Sequence, residues 1–494
     1  MKLQQLFSLY DINFDATKVK SEAEVSGLFF DSRAVIPNSV FIAIKGVQNN
    51  GHQFINEAIA AGAIAVVVET KSSVPADFQG DILEVKDTRQ ALQLLAAIFY
   101  DYPSQELFCF GVTGTNGKTS ITYLLEHILN FNNKPTAVMG TVNHRILDQK
   151  WESQVTTPDS ITLQKRLREF VDHQAMTVAM EVSSHALDQK RADSVGFNTV
   201  IFSNLTLDHL DYHQTMEAYF EAKQKLFTDL MWASPKNPLF AVVNTDDPYG
   251  RKLLIADHVI VWTYGQKDSD FQFHILSMDY NQTEFEFKTS METTRISVPL
   301  SGVHMIYNCV ASLVAALTCG VSLEQSVRAL KNFQGVPGRL QRVPSASNKT
   351  VFVDYAHTPD ALENVLKSLH DLRSKINSKS KIITVFGCGG DRDKSKRPLM
   401  AAIAAKYSNS IFITSDNPRT ESPEIILNEV QKGIPVDYEN VILEVDREKA
   451  IAAAIRLAHH EDVILIAGKG HEDYQILGSE KIHFSDIEVA QKYL

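Results

Sequence analysis

Two hydrophobic rhythms alternate along the chain. Short apolar runs such as "VFIAI" (Val40 to Ile44) and "AIAVVVE" (Ala63 to Glu69) are rich in β-branched residues and bounded by turn residues or a helix pattern. "QALQLLAAIFYDYP" follows with helical spacing and stops at Pro103. "LFCFGVTG" then reads as a buried strand entering a Gly-rich turn. "TVAMEVSSH", "TVIFSN" and "LFAVVN" continue the series. Strands alternating with helices predict an α/β fold, with mainly parallel sheets covered by helices.

The rhythm changes once. "FQFHILSMDYNQTEFEFKTSMETTRISVPLSG" alternates aromatic and β-branched residues with polar ones, which predicts a small antiparallel sheet. Turn residues cluster at "GVPGRLQRV" (Gly335 to Val343), and β/α alternation then restarts. Domain boundaries are expected near residues 88 and 338. In the last part three apolar runs end in polar or Gly-rich tips: "IITVFGCGGDRD", "IFITSDNPR" and "VILIAGKGHED". Open α/β sheets bind ligands at strand carboxyl ends, so these tips are candidate site segments.

Length and composition fit this picture. The chain has 494 residues, of which 44% are hydrophobic and 22% charged, enough for several packed cores. A formal net charge of −11 and no long basic run argue against nucleic acid as the main partner. Cys109, Cys309, Cys319 and Cys388 are widely spaced and form no C-x-x-C pair, so free thiols are expected. No run approaches a membrane span and the N-terminus lacks a long apolar core, so a cytoplasmic protein is expected, with no membrane partner.

The chemistry begins at "FGVTGTNGKTS" (Phe110 to Ser120), between an apolar strand and the helical "ITYLLEHIL". Glycines free backbone N–H groups to face phosphate oxygens, and a helix N-terminus favours negative charge. Lys118 can reach terminal phosphates and the Thr119 hydroxyl can coordinate Mg²⁺. The outer glycines, Gly111 and Gly117, are one residue further apart than in the common phosphate-loop pattern. Glu181 ends another strand, where a solvated end and a site carboxylate are both open. His209 and His213 are four apart and would share a helix face if helical. That spacing is also common on surfaces, and no third zinc ligand is evident.

The segments together say more. "DSR" (Asp31 to Arg33), "TGTNGKTS", "TTPD" (Thr156 to Asp159), "MEVSSHAL", "DHLDYH", "EAKQKLF", "NTDD", "GVPGR", "VDYAHTPD", "GCGGDRDKSKRP", "DNPR" and "GKGHEDYQ" occur in order over essentially the whole chain. This set resembles the Mur ligases, ATP-dependent amide ligases of peptidoglycan precursor synthesis, and most of all the members that add the third peptide residue. The longer glycine spacing is usual there.

The resemblance implies three domains: residues 1–88 for the UDP-sugar substrate, 89–338 a central P-loop ATPase, and 339–494 a Rossmann-like domain for the incoming amino acid. It implies that Gly114, Thr115, Asn116, Gly117, Lys118, Thr119 and Ser120 cradle ATP phosphates, and that Asn308, Arg339, Asp354 and His357 contact the nucleotide. Two Mg²⁺ ions would be held through Thr119, Glu181, His209 and Lys223, the lysine carrying a CO₂-derived carbamate. A carbamate offers anionic oxygens to a hard ion, whereas an ammonium cannot be a ligand. Lys118, Lys223, His209 and Glu181 would be the catalytic set.

The UDP-N-acetylmuramoyl-dipeptide would meet Phe30, Ser32, Val47, Gln48, Asn49, Val155, Thr156, Thr157, Ser183, Gln189 and Arg191. Val155 replaces an Asn common in relatives, and Gln341 replaces an acidic residue. Meso-diaminopimelate would meet Arg392, Asp416, Asn417, Pro418, Arg419, Gly468 and Glu472. Its far end carries a carboxylate that Arg419 can bind through two parallel hydrogen bonds, whereas a lysine substrate would bring an ammonium there. A lysine-adding ligase, a folate polyglutamate ligase and a nucleotide switch without ligation are the competing readings. Arg419 argues against the first, and "DSR" with "DNPR" against the second. A switch would turn over ATP slowly whatever the amino acid. A monomer is expected.

Overall fold

The computed structural model describes residues 1–11, 19, 23–46, 49–344 and 349–494. The chain divides into two compact units, Met1–Thr263 with Val314–Val321, and Tyr264–Leu313 with Ser322–Leu494.

The first unit holds two sheets. A small parallel sheet runs β1 (Leu28–Phe29), β2 (Ser39–Ile42), β3 (Ala63–Val68) and β4 (Asp81–Glu84) in sequential order. Its strands are nearly all apolar because both faces are covered. Leu3, Leu6, Leu92 and Leu95 pack on one face, and Ile55 and Ala58 on the other.

The larger sheet comprises β5 (Phe108–Thr113), β6 (Thr136–Met139), β7 (Asn143–Ile146), β8 (Gln149–Glu152), β9 (Thr177–Glu181), β10 (Thr199–Phe202), β11 (Phe240–Asn244) and β12 (Ile260–Gly265). The order is β12-β11-β10-β5-β9-β6-β7-β8. β5 is flanked by β10 and β9, both parallel to it, with Thr113 opposite Phe202 and Val112 opposite Glu181. Three consecutive strands therefore deliver their carboxyl ends to one edge. Side-chain caps start the helices around this sheet. Asp159 accepts from the N–H groups of Ile161 and Thr162 at 3.0 Å each, and Asp87 from those of Arg89 and Gln90.

In the second unit β13 (Phe271–Met278), β14 (Thr283–Lys288) and β15 (Thr293–Val298) form the expected antiparallel meander. β16 (Gln341–Arg342), β17 (Thr350–Asp354), β18 (Ile382–Phe386), β19 (Ser410–Ile413), β20 (Val441–Leu443) and β21 (Val463–Ala467) form a sheet of order β16-β17-β21-β18-β19-β20. It is parallel except at β16, and a hairpin of β22 (Tyr474–Leu477) and β23 (Glu480–His483) follows. Leu362, Leu366, Met400 and Leu427 cover one face, and Ala450, Ile451, Ile455 and Ala490 the other. The ends of β17, β21, β18 and β19 are neighbours, so the segments after them share one edge.

A buried ion pair braces that edge. Arg447 and Asp486 are fully buried, with Nε and Nη2 donating to the carboxylate at 2.7 and 2.8 Å. The same guanidinium donates to Ser415 O just after β19 (3.3 Å) and to Ala467 O at the end of β21 (3.1 Å). Arg447→Met would leave Asp486 buried without its partner, which costs about 3–5 kcal/mol. Urea unfolding should register that loss, and an unchanged midpoint would show that the pair does not brace the fold.

Candidate active site

β5 runs straight into the phosphate loop, and the helix Lys118–Phe131 begins inside it. Gly114 has φ +144°, and a Cβ there would lie 1.9 Å from Ser203 Oγ, so only glycine fits. The loop is stitched to the segment after β10. Thr115 N donates to Asn204 O at 2.8 Å, Asn116 N to Asn204 Oδ1 at 2.9 Å, and Ser203 Oγ to Asn116 O at 2.6 Å. Lys118 Nζ folds back onto Gly114 O and Thr115 O, both at 2.9 Å, while Thr119 and Ser120 are buried and Gly117 caps the helix. The loop has the shape of an anion cradle at a helix N-terminus.

Lys223 joins this loop from the helix Met216–Gln224. Its Nζ is buried, donates to Gly114 O at 2.9 Å, and lies 4.5 Å from the Tyr219 ring centroid. Burial, aided by the nearby Lys118 charge, pushes its amine well below the ordinary lysine range, toward the neutral form. His209 is lowered to about 4, chiefly by burial. It lies just ahead of the short helix Leu210–His213, with φ +54°, so His209 and His213 do not share a helix face. His213 instead bonds Ser184 Oγ at 3.0 Å, and the His209 ring packs edge-on against His185 at 4.8 Å.

Glu181 is 1% exposed at the tip of β9. Its carboxylate accepts from Thr141 N at 3.0 Å and Thr141 Oγ1 at 2.9 Å. Thr157 Oγ1 donates to Glu181 O at 2.8 Å and accepts from Ser183 N at 3.0 Å; Thr156 Oγ1 lies 3.0 Å from Thr141 Oγ1. Among the described residues no three His, Cys, Asp or Glu side chains gather as a metal site. The available donors are a carboxylate, a hydroxyl, an imidazole held neutral and a lysine pushed toward its neutral amine. They fit a hard divalent cation once that amine carries a carboxyl group.

Six of the residues expected to bind the UDP-sugar peptide line one cavity of about 650 Å³: Phe30, Ser32, Asn49, Val155, Gln189 and Arg191. Val155 is half-exposed and presents an apolar side chain to the cavity. Arg191 is held by Gln189 Oε1 and donates to Thr157 O at 3.0 Å. Thr156, Thr157 and Ser183 are tied into the strand tip behind it. Val47 and Gln48 lie outside the described residues. Arg33 of the "DSR" segment, paired with Asp31, also lines the cavity, as does Arg89, which motif reading missed.

In the second unit Asp354 is buried and accepts from Leu340 N at 2.5 Å and Ala356 N at 2.8 Å; burial raises its pKa. Arg339 stacks over the Tyr355 ring at 4.9 Å, and His357 Nδ1 meets Tyr355 O at 2.7 Å. These three expected nucleotide residues thus gather around one tyrosine. Asn308 is buried on the helix Val303–Thr318, with Nδ2 3.9 Å from Met305 Sδ. Gln341, given no role from sequence, accepts from Gly338 N at 2.8 Å and shapes the turn before β17.

The tips after β19 and β21 meet. Asn417 Nδ2 donates to Glu472 Oε2 at 2.9 Å, and Asn417 Oδ1 accepts from Ile476 N at 3.0 Å. Arg419 has φ +53°, a left-handed conformation unusual outside glycine. Its N donates to Ile476 O and its Nη1 to Gly390 O at 2.8 Å. Buried Arg397 holds the same loop through Gly389 O, Glu421 and Glu429. Asp416 is buried beneath, Gly468 lies beside its carboxylate, and Pro418 O accepts from Glu421 N. Arg392 is exposed and bonded to Asp391 O, and its side chain and that of Arg419 both lie beside Gly389. Lys469, within "GKGHED" but not singled out by sequence, is fully buried in this cluster.

Parallel α/β units carrying a phosphate loop define a nucleotide-binding enzyme class, and comparison with known proteins narrows it. Residues 24–100 match the Mur ligase family catalytic domain, 112–316 the Mur ligase middle domain, and 338–470 the Mur ligase glutamate ligase domain. A UDP-N-acetylmuramoyl-L-alanyl-D-glutamate–2,6-diaminopimelate ligase of Geobacter sulfurreducens is 41% identical over 510 residues, covering 99% of this chain and 98% of the relative. The ligase of the same name from Thermosynechococcus vestitus is 43% identical, covering 100% and 98%. A solved structure of a ligase of that name superposes with a TM-score of 0.68 at 32% identity, covering 99% and 98%. The chain belongs to the Mur ligase family.

Gly140 offers a direct test of the Glu181 placement. A Cβ there would lie 2.2 Å from Glu181 Oε1. Gly140→Ala should displace the carboxylate and lower kcat for ATP turnover by roughly 100-fold, with only a modest fall in thermal midpoint. Wild-type turnover would remove Glu181 from the chemistry.

Proposed function

We propose that the protein adds meso-2,6-diaminopimelate to UDP-N-acetylmuramoyl-L-alanyl-D-glutamate, converting ATP to ADP and phosphate, in cytoplasmic peptidoglycan precursor synthesis. The observation that carries this reading is the joined cluster of Asp416, Asn417, Arg419 and Glu472. It sets an arginine and two carboxylates on neighbouring strand tips of a chain whose relatives are diaminopimelate ligases. Diaminopimelate carries both an ammonium and a carboxylate at its far end. Arg419 answers the carboxylate, and Glu472 and Asp416 answer the amine. The division into residues 1–88, 89–338 and 339–494 belongs to the same proposal, with the three matched family segments as its support.

The chemistry follows from the groups present. The loop amides from Gly114 to Ser120 and Lys118 hold the β- and γ-phosphates of ATP in line with the dipeptide. The γ-carboxylate of the D-glutamyl residue attacks the γ-phosphorus, ADP leaves, and an acyl phosphate forms. The diaminopimelate amine attacks the acyl carbon, and phosphate leaves with the carboxylate oxygen. Two Mg²⁺ ions, held through Thr119, Glu181, His209 and Lys223, would neutralise phosphate charge during transfer.

Lys223 suits carboxylation because a neutral amine is the form that attacks CO₂, and burial drives it there. The N–H that remains still has Gly114 O as acceptor. Arg33, Arg89 and Arg191 line the cavity together with Asp31, Glu57 and Asp159, and Arg33 is paired with Asp31, so Arg89 and Arg191 are the cations we assign to the UDP-sugar.

ADP release should be measured with ATP and the UDP-dipeptide, adding meso-diaminopimelate or L-lysine separately. Release dependent on diaminopimelate is expected. No release with it, or preference for lysine, would overturn the assignment. In the same assay Lys223→Ala should be nearly inactive and unrescued by bicarbonate; substantial residual turnover would remove the carbamate role.

A further inference from the structure

Lys469 in the "GKGHED" tip is not used by the mechanism above, and its setting is unusual. Its side chain is 0% exposed. Burying an ammonium costs several kcal/mol unless fixed partners compensate it. Nζ donates to Glu472 Oε2 at 3.0 Å and Asn417 Oδ1 at 3.3 Å, lies 3.6 Å from Asp416 Oδ1, and sits 5.3 Å from the Tyr474 ring centroid. Asp416 Oδ1 is itself buried without a hydrogen bond, so Lys469 is its nearest counter-charge.

The lysine's backbone is equally constrained. Gly468 and Gly470 on either side have φ +117° and +54°, and a Cβ on Gly470 would lie 2.8 Å from Tyr355 Cα. The turn packs closely against Tyr355, the residue directly after β17.

We propose that Lys469 is a positioning residue that locks Asn417 against Glu472 and balances the charge of the amino-acid pocket. This rests on the diaminopimelate reading above. With Lys469 present, the tips hold two carboxylates, Asp416 and Glu472, and two cations, Lys469 and Arg419, beside the mutually neutralising Arg447–Asp486 pair. A neutral pocket of that kind suits the zwitterionic end of diaminopimelate. Without Lys469 it carries one net negative charge, suits the cationic end of L-lysine better, and leaves Asn417 and Glu472 free to turn away.

The test compares wild type, Lys469→Met and Lys469→Gln in steady-state ADP release, with meso-diaminopimelate and with L-lysine. In Lys469→Met the KM for diaminopimelate should rise about tenfold or more, as expected for losing charged hydrogen bonds. The KM values for ATP and the UDP-dipeptide should stay within about twofold, because the side-chain partners of Lys469 are Asn417, Asp416 and Glu472 and none is assigned to those substrates. The ratio of kcat/KM for diaminopimelate over lysine should fall. Lys469→Gln keeps a donor in a similar volume and should show the same ratio shift with a smaller rise in KM.

If wild type does not use diaminopimelate, the functional reading fails before this one is reached. If wild type uses it and both variants keep its KM and the ratio, the positioning role is overturned. A loss spread equally over all three substrates, or loss of the fold in both variants, assigns Lys469 to stability alone and overturns the role too.

Discussion

The parallel pairing of β5 with β9 and β10 is the constraint on which the catalytic geometry depends. Parallel strands end on the same edge, so the phosphate loop, Glu181 and the Ser203–Asn204 segment arrive together without any long-range loop having to find its place. The near-continuous apolar strands make that pairing, since each is buried on both faces and has no polar side to turn outward. The second unit repeats the arrangement with β17, β21, β18 and β19, and uses their tips for a different task.

Charge burial sets the character of both units. Lys223, Lys469, Arg397 and Arg447 are all buried, and each is held differently. Arg447 and Arg397 each donate several hydrogen bonds to carboxylates and backbone carbonyls, which fixes loops around them. Lys469 faces two carboxylates and an amide at the amino-acid tips. Lys223 has Gly114 O and the Tyr219 ring beside its ammonium, and burial pushes that amine toward its neutral form. The same physical cost therefore fixes structure in three places and shifts an amine toward neutrality in the fourth.

Much of this was legible in the sequence, because strands and their tips are local signals. Each apolar run became a strand, the aromatic alternation after residue 270 became an antiparallel meander, and "DNPR" and "GKGHE" proved to be neighbouring tips. What the sequence hid depends on contacts between distant segments. Nothing near Thr141 announces that it grips Glu181, forty residues on, or that Gly140 must lack a Cβ for it. His209 looked paired with His213 by spacing, but a left-handed turn at His209 puts it outside the helix. Lys469 was in view as part of a motif, yet only packing shows that its ammonium is buried.

The proposed function requires amide formation to pass through an acyl phosphate made at the loop of β5. The most direct measurement labels the D-glutamyl γ-carboxylate of the UDP-dipeptide with ¹⁸O and analyses the released phosphate by mass spectrometry. The account predicts phosphate carrying ¹⁸O, because the attacking carboxylate oxygen leaves with the phosphoryl group when the amine adds. Unlabelled phosphate, released together with amide product, would contradict it.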